Sequence, residues 1–206
     1  MTARQPLLHD LSVVLRAPTV CLSGADGQIR ADGVQGVFCG DVRVLDRAVV
    51  TIDGVEPEPV GGGPRGASSE ERIGLLRGLG DPGADPTVWL RRTRTAHPDG
   101  LEESFVLVNR SASDLDVELV VTVGADLAPI ETVKQGLPTE PAEPITTDGG
   151  PTWTTTDVTA RIAAPGAEVD AGRLRWWLGV RARSVATAGW SLQVSDSGAV
   201  VAPART

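Results

Sequence analysis

Short apolar segments that alternate with period two, each closed by turn-forming residues, recur along this chain and favour a sheet over any other arrangement. In Leu115–Val123 the odd positions are Leu115, Val117, Leu119, Val121 and Val123, and the even positions are Asp116, Glu118, Val120 and Thr122. One face is apolar and the other mainly polar, as in a half-buried strand. The residues that carry the pattern are β-branched. The chain has 26 valines and 18 threonines, whose restricted χ1 suits a pleated sheet better than a helix. Leu101–Val108 is a second strand just upstream, and the turn formers from Asn109 to Asp114 predict an antiparallel hairpin over 101–123.

Further strands are predicted at Leu11–Leu15, Thr19–Ser23, Val42–Ile52, Thr87–Thr95, Thr152–Ile162, Leu174–Val185 and Trp190–Ser195. The last two are expected to be joined by Ala186–Gly189. Within Leu174–Val185 one face carries Leu174, Trp176, Leu178, Val180 and Ala182. The other carries Arg175, Trp177, Arg181 and Arg183, whose arginine stems can cover apolar surface while their heads stay wet. Ser68–Glu71 has the form of a helix capping box. Gly74, Gly78 and Gly80 would each cost a helix roughly 1 kcal/mol, so a loop followed by a short strand or one helical turn is preferred there. Glu56–Gly66 reads as a flexible loop and Leu137–Pro151 as a second, proline-rich one. Neither divides the chain into parts with a full strand set. The expectation is one all-β domain over residues 1–206, a sandwich or barrel with almost no helix.

Charge narrows the partners. Nineteen Lys plus Arg against 27 Asp plus Glu give a net charge of −8. That argues against a nucleic-acid backbone and against a polybasic membrane anchor. No apolar run approaches the roughly 20 residues of a membrane span. The segment from Met1 to Asp10 lacks the apolar stretch of a signal peptide, so the expected location is the cytoplasm. There Cys21 and Cys39 read as two buried thiols, a disulfide being open to them if their strands are neighbours.

Composition also limits chemistry. Two His (His9 and His97) and two Cys lack the close paired spacing of a zinc site, and no metal or cofactor is expected. His9 lies in a terminal segment, and His97 in a turn-like stretch from Ala96 to Gly100 that reads as a solvated loop. No nucleophile elbow, Ser-x-x-Lys pair or phosphate loop occurs. Glu102 and Glu103 are adjacent and would point to opposite faces of a strand, not toward one glycosidic bond. Asp41 and Asp46, near Arg43 and Arg47, read equally as surface ion pairs. Five tryptophans without a tyrosine are the suggestive feature. Trp153, Trp176 and Trp190 read as core anchors, while Trp177 alternates with Arg175 and can face outward.

Several blocks together resemble a family. Gly36-Val-Phe-Cys-Gly-Asp41-Val-Arg43-Val-Leu45, followed by Asp53-Gly54, is similar to the Gly-Leu-Phe-x-x-Asp-Thr-Arg-x-Leu … Asn/Asp-Gly pattern of the N-terminal domains of glycogen debranching enzymes of the amylo-α-1,6-glucosidase type. Arg91–Arg94, Asp99–Glu103 and Phe105–Asn109 follow as its Arg-x-Arg, Gly-Leu-x-Glu and strand-ending Asn. Val117–Val123, Ala125-Asp126 and Glu131–Val133 resemble its next strand and Ala-Asp block, and Trp176–Leu178 with Gly189–Leu192 match loosely. Val42, Leu127 and Pro129 depart from the pattern, and the stretch after Lys134 matches least.

The resemblance implies a large antiparallel β-sandwich of the supersandwich kind, packed against an α/α-toroid that carries the catalytic acids. It implies a non-catalytic module, inactive by itself, that docks the toroid and shapes one rim of its active site. Asp41, Arg43 and Trp177 are the substrate-facing or interface candidates. Asp41 and Arg43 have a competing role as an internal ion pair that fixes a strand end. Two other functions stay open: a stand-alone α-glucan-binding module gripping sugar through Trp and Arg, and a ligand-free assembly sandwich that forms homodimers.

Overall fold

A computed structural model describes residues 10–147 and 150–196. His9 lies outside them. The first seven strands are β1 (Ser12–Arg16), β2 (Thr19–Ser23), β3 (Gly36–Cys39), β4 (Val42–Leu45), β5 (Arg47–Ile52), β6 (Glu58–Pro64) and β7 (Ser69–Leu75). β8 (Val88–His97), β9 (Gly100–Asn109), β10 (Leu115–Gly124) and β11 (Ala128–Pro129) lead to a single helical turn, α1 (Ile130–Lys134). Then come β12 (Ile145–Thr147), β13 (Gly150–Thr154), β14 (Val158–Ala163), β15 (Glu168–Asp170), β16 (Arg173–Val180) and β17 (Ser184–Asp196). Among the described residues no helix is long and apolar enough to cross a membrane.

The strands form three antiparallel sheets. An 8-stranded sheet runs β12-β13-β14-β17-β9-β8-β7-β6, a 4-stranded sheet runs β15-β16-β10-β5, and a 5-stranded sheet runs β1-β2-β3-β4-β11. β16 lies against β17 and β9, while β1 and β2 lie against β8. The two smaller sheets thus cover one face of the large one, making a β-sandwich. A continuous apolar cluster draws Val14, Cys21 and Val44 from the 5-stranded sheet, Val50, Leu119 and Trp176 from the 4-stranded sheet, and Phe105, Trp153 and Trp190 from the 8-stranded sheet. Alternate residues of β8, β9, β10 and β14 point into this core, which is the sandwich arrangement that period two dictates. Cys21 and Cys39 are free and buried on the neighbouring strands β2 and β3.

The all-β sandwich agrees with the sequence, but several connections do not. The segment 101–123 is not a hairpin: β9 pairs with β8 and β17, whereas β10 pairs with β16 and β5 in the opposite layer. Two consecutive alternating strands can lie side by side or face to face, and period two does not distinguish them. Here the apolar faces of Phe105 and Leu107 and of Val117 and Leu119 enter the same core, so the chain folds over it. The same holds at the C-terminal end. The turn falls at Arg181–Arg183, with Arg183 at φ 56°, and β17 runs unbroken through Ala186–Gly189 in the opposite sheet from β16.

The two crossovers lie side by side and Asn109 ties them. Its Nδ2 donates to the carbonyls of Ser113 (2.8 Å), Val180 (3.2 Å) and Arg181 (3.2 Å), and its Oδ1 accepts from the Ser111 N–H (2.9 Å). The expected strand Val42–Ile52 is broken at Asp46, where the chain leaves the 5-stranded sheet for the 4-stranded one and the Asp46 N–H bonds the Gly124 carbonyl at 3.0 Å. The segment Thr152–Ile162, expected as one strand, is instead a hairpin of β13 with β14, turning at Thr155–Asp157. The glycine- and proline-rich stretch 56–66, expected as a loop, holds the edge strand β6 paired with β7. An edge strand tolerates proline because only one side of its backbone must pair. Part of the second expected loop forms β12 and the start of β13.

Candidate functional site

The Gly36–Leu45 block folds as β3, a turn at Gly40-Asp41, and β4. Arg43 points inward and is buried. Its Nε lies 3.2 Å from each carboxylate oxygen of Asp126, and its Nη2 donates to Asp126 Oδ2 and, at 3.4 Å, to Thr139 Oγ1. Nη1 donates to the carbonyls of Gly33 (3.1 Å) and Gln35 (3.2 Å). Gly36 makes room for this: at its φ of 147°, an added Cβ would fall 2.6 Å from Arg43 Cδ. Arg43 therefore pairs with Asp126, 83 residues away in sequence, and not with Asp41. Asp41 is exposed in the turn, where its carbonyl accepts the Ile130 N–H at 2.7 Å. Asp46, also buried, faces the same cluster. Burial, and then the nearby Asp126 carboxylate, push its carboxyl above the usual range.

The Arg91–Arg94 and Gly100–Glu103 blocks meet in a second buried cluster. Strand alternation turns Arg92 and Arg94 inward, and Glu103 faces them from β9 while Glu102 points out. Glu103 Oε1 accepts from Arg92 Nε (3.0 Å) and Arg94 Nε (2.6 Å), and Oε2 from Arg92 Nη2 (2.9 Å) and Trp190 Nε1 (3.1 Å). Arg94 Nη1 donates to Glu70 Oε1 at 3.0 Å, and Nη2 to the Gly27 carbonyl at 2.6 Å. Glu70, Arg94, Glu103 and Trp190 are direct cross-strand partners on β7, β8, β9 and β17. At the start of β9, Gly100 lets the backbone approach β17 closely, since a Cβ there would strike the Leu192 carbonyl at 1.9 Å. Burial alone would raise the Glu70 carboxyl. The charges of Arg94 and Arg72 and the Ser12 hydroxyl outweigh it and hold Glu70 below the usual range. Cys21, beneath this row, is pushed up to about 11 by burial.

Trp177 is elsewhere. It sits on β16, on the outer face of the 4-stranded sheet, and is 66% exposed. Trp153, Trp176 and Trp190 are buried core anchors, as expected. The structure thus separates the three candidates: Arg43 is inside, Asp41 is in a turn of the 5-stranded sheet, and Trp177 is on another sheet. His97 ends β8, exposed, with its Nε2 3.6 Å from Glu102 Oε2.

Sequence reasoning missed Asp126 as the partner of Arg43, and Glu70 and Gln28 as partners of Arg94 and Arg92. Charges at inward positions of an alternating strand were the available signal, and Arg92, Arg94 and Glu103 all carry it. Among the described residues no group of three or more His, Cys, Asp or Glu is placed to hold a metal.

A family model described as the N-terminal domain of (some) glycogen debranching enzymes matches residues 14–191. No curated protein matches the chain.

Proposed function

The chain belongs to the family of N-terminal domains of some glycogen debranching enzymes, and from that premise we propose that it is a non-catalytic module that packs against an α/α-toroid catalytic domain and shapes a rim of its active site. One observation carries the non-catalytic part. Four charged side chains of the resembling blocks, Arg43, Arg92, Arg94 and Glu103, are engaged with buried partners inside the sandwich, while Asp41, in a turn of the 5-stranded sheet, and Glu102, on the 8-stranded sheet, are exposed. A glycosidase needs two carboxyl groups that reach one bond, and the buried carboxylates Glu103 and Asp126 face arginines instead.

The outer face of the 8-stranded sheet supports the packing role. Leu75, Trp89, Val108 and Val185 are successive cross-strand partners on that face. Val185 is half exposed, and a cleft of ≈ 300 Å³, lined by Ile52, Val55 and Leu79 with Asp53, Glu58 and Arg77 among them, shares Leu75 with the row. Apolar surface of this kind marks contact faces.

The test mixes the 206-residue chain with a separately expressed toroid and follows glucose release from a branched limit dextrin. The chain alone is expected to release none, and its addition to raise the toroid's activity or melting temperature. Val185→Asp should weaken that effect without unfolding the chain. Glucose release by the chain alone would refute the non-catalytic reading, and a toroid indifferent to the chain would refute the packing one.

A further inference from the structure

Trp177 presents an open indole on a strand paired with β10 over Arg173–Val180. The pairing with β15 covers Arg173–Arg175, so at Trp177 the backbone is held from the β10 side. No cation covers the ring: the cation–π contact found among the described residues is Arg92 over Phe105. Gly179, two residues on and therefore on the same face, is exposed and adds no side chain. Polar groups border the ring. Glu118 is the direct cross-strand partner of Trp177, and its Oε1 lies 2.7 Å from Arg175 Nε. Asp116 is the partner of Gly179, and its Oδ1 would lie 3.3 Å from a Cβ built there.

We propose that Trp177, with Asp116, Glu118 and Arg175 around it, is a binding platform for an α-glucan. The C–H face of a glucose ring stacks on an indole, and its hydroxyls pair with carboxylates and a guanidinium set at the ring's edge. The surroundings favour a sugar over a protein partner. The centre of a protein interface is depleted in charged residues, whereas charged side chains border this aromatic. The choice of an α-glucan rests on the reading above, that the chain serves an enzyme of glycogen. The platform goes beyond that reading by giving the module its own contact with the polymer, on a different sheet from the apolar row.

The test is a titration of the 206-residue chain, followed through its ¹⁵N-labelled indole N–H signals, with maltoheptaose up to about 10 mM, ample for a millimolar Kd. One indole signal should shift and saturate, and it should be the one absent from Trp177→Ala. In a native gel cast with glycogen, the wild-type chain should be retarded and Trp177→Ala should run free. Asp116→Ala should weaken binding about tenfold, the change expected from losing one good contact. Because Trp177 is on the surface, the melting temperature of its variant should match the wild type. No shift at the top concentration would overturn the proposal, as would a shift that survives Trp177→Ala. An equal response to cellohexaose would overturn the α-glucan assignment. Lost glucan binding with intact toroid packing refutes only the platform, and the converse refutes only the packing reading.

Discussion

Arg43 and Asp126 show how a charged pair is kept inside a β-sandwich. Both are buried, and the guanidinium also satisfies two loop carbonyls and a threonine hydroxyl. A buried pair is weak evidence for net stability, but removing one partner leaves an uncompensated charge and costs about 3–5 kcal/mol. Arg43→Ala and Asp126→Ala are each expected to lower the unfolding free energy by that order, read from equilibrium urea unfolding. A loss below 1 kcal/mol would mean that water reaches the site. Asp46 gives a pH signature of the opposite sign to Glu70. Its folded carboxyl is raised above the unfolded value, so ionising it in the fold is unfavourable and stability falls as pH rises through that folded value. Asp46→Asn removes this penalty. It should be more stable than the wild type at pH 7, with the difference closing as pH falls below the unfolded Asp value of about 3.9. Glu70 is held low, so its contribution is present above the unfolded value and is lost as acid protonates the folded carboxylate.

At the level of elements, the two crossovers depend on one side chain. Asn109 supplies hydrogen-bond donors to three carbonyls and an acceptor to Ser111. Without it, the buried Val180 carbonyl loses this partner, at about 1–3 kcal/mol. Asn109→Ala should destabilise the chain by at least that much, and Asn109→Asp should not rescue it, because a carboxylate cannot donate. Hydrogen exchange should speed up at Ser111–Ser113 and Val180–Ser184 in both variants, and unchanged protection there would contradict the role. These crossovers also mark the limit of what the sequence reveals. Strand positions were legible because the core imposes period two, as at Leu115–Val123. Strand partners were not, because the same alternation serves a hairpin and a fold across the core. Edge strand β6 escaped notice because Gly61–Gly63 and its prolines have no alternation, and main-chain pairing holds it in place. At the candidate site, Arg43 stood out through its motif and Trp177 through its place opposite Trp176. Asp126 did not stand out as Arg43's partner, because nothing local connects residues 83 apart.

For the molecule as a whole, the shared interior sets the unfolding behaviour. One apolar cluster takes residues from all three sheets. The chain passes from one smaller sheet to the other at Asp46, and crosses between layers after Asn109 and at Arg181–Arg183. No sheet can lose its inner face without exposing the inner faces of the others. The chain is therefore expected to unfold as one domain, in a single two-state transition. Its tryptophans make the test specific, because Trp153 and Trp190 are buried in the 8-stranded sheet and Trp176 in the 4-stranded one. Trp176→Phe leaves fluorescence dominated by the large sheet. A double variant, Trp153→Phe with Trp190→Phe, restores the weight of the small one. If the layers form one cooperative unit, each variant's fluorescence transition in urea should coincide with its own far-ultraviolet circular dichroism. A fluorescence midpoint that parts from the circular dichroism in either variant would mean that the smaller sheets melt apart from the large one. The 1–206 unit would then consist of two domains that share a face.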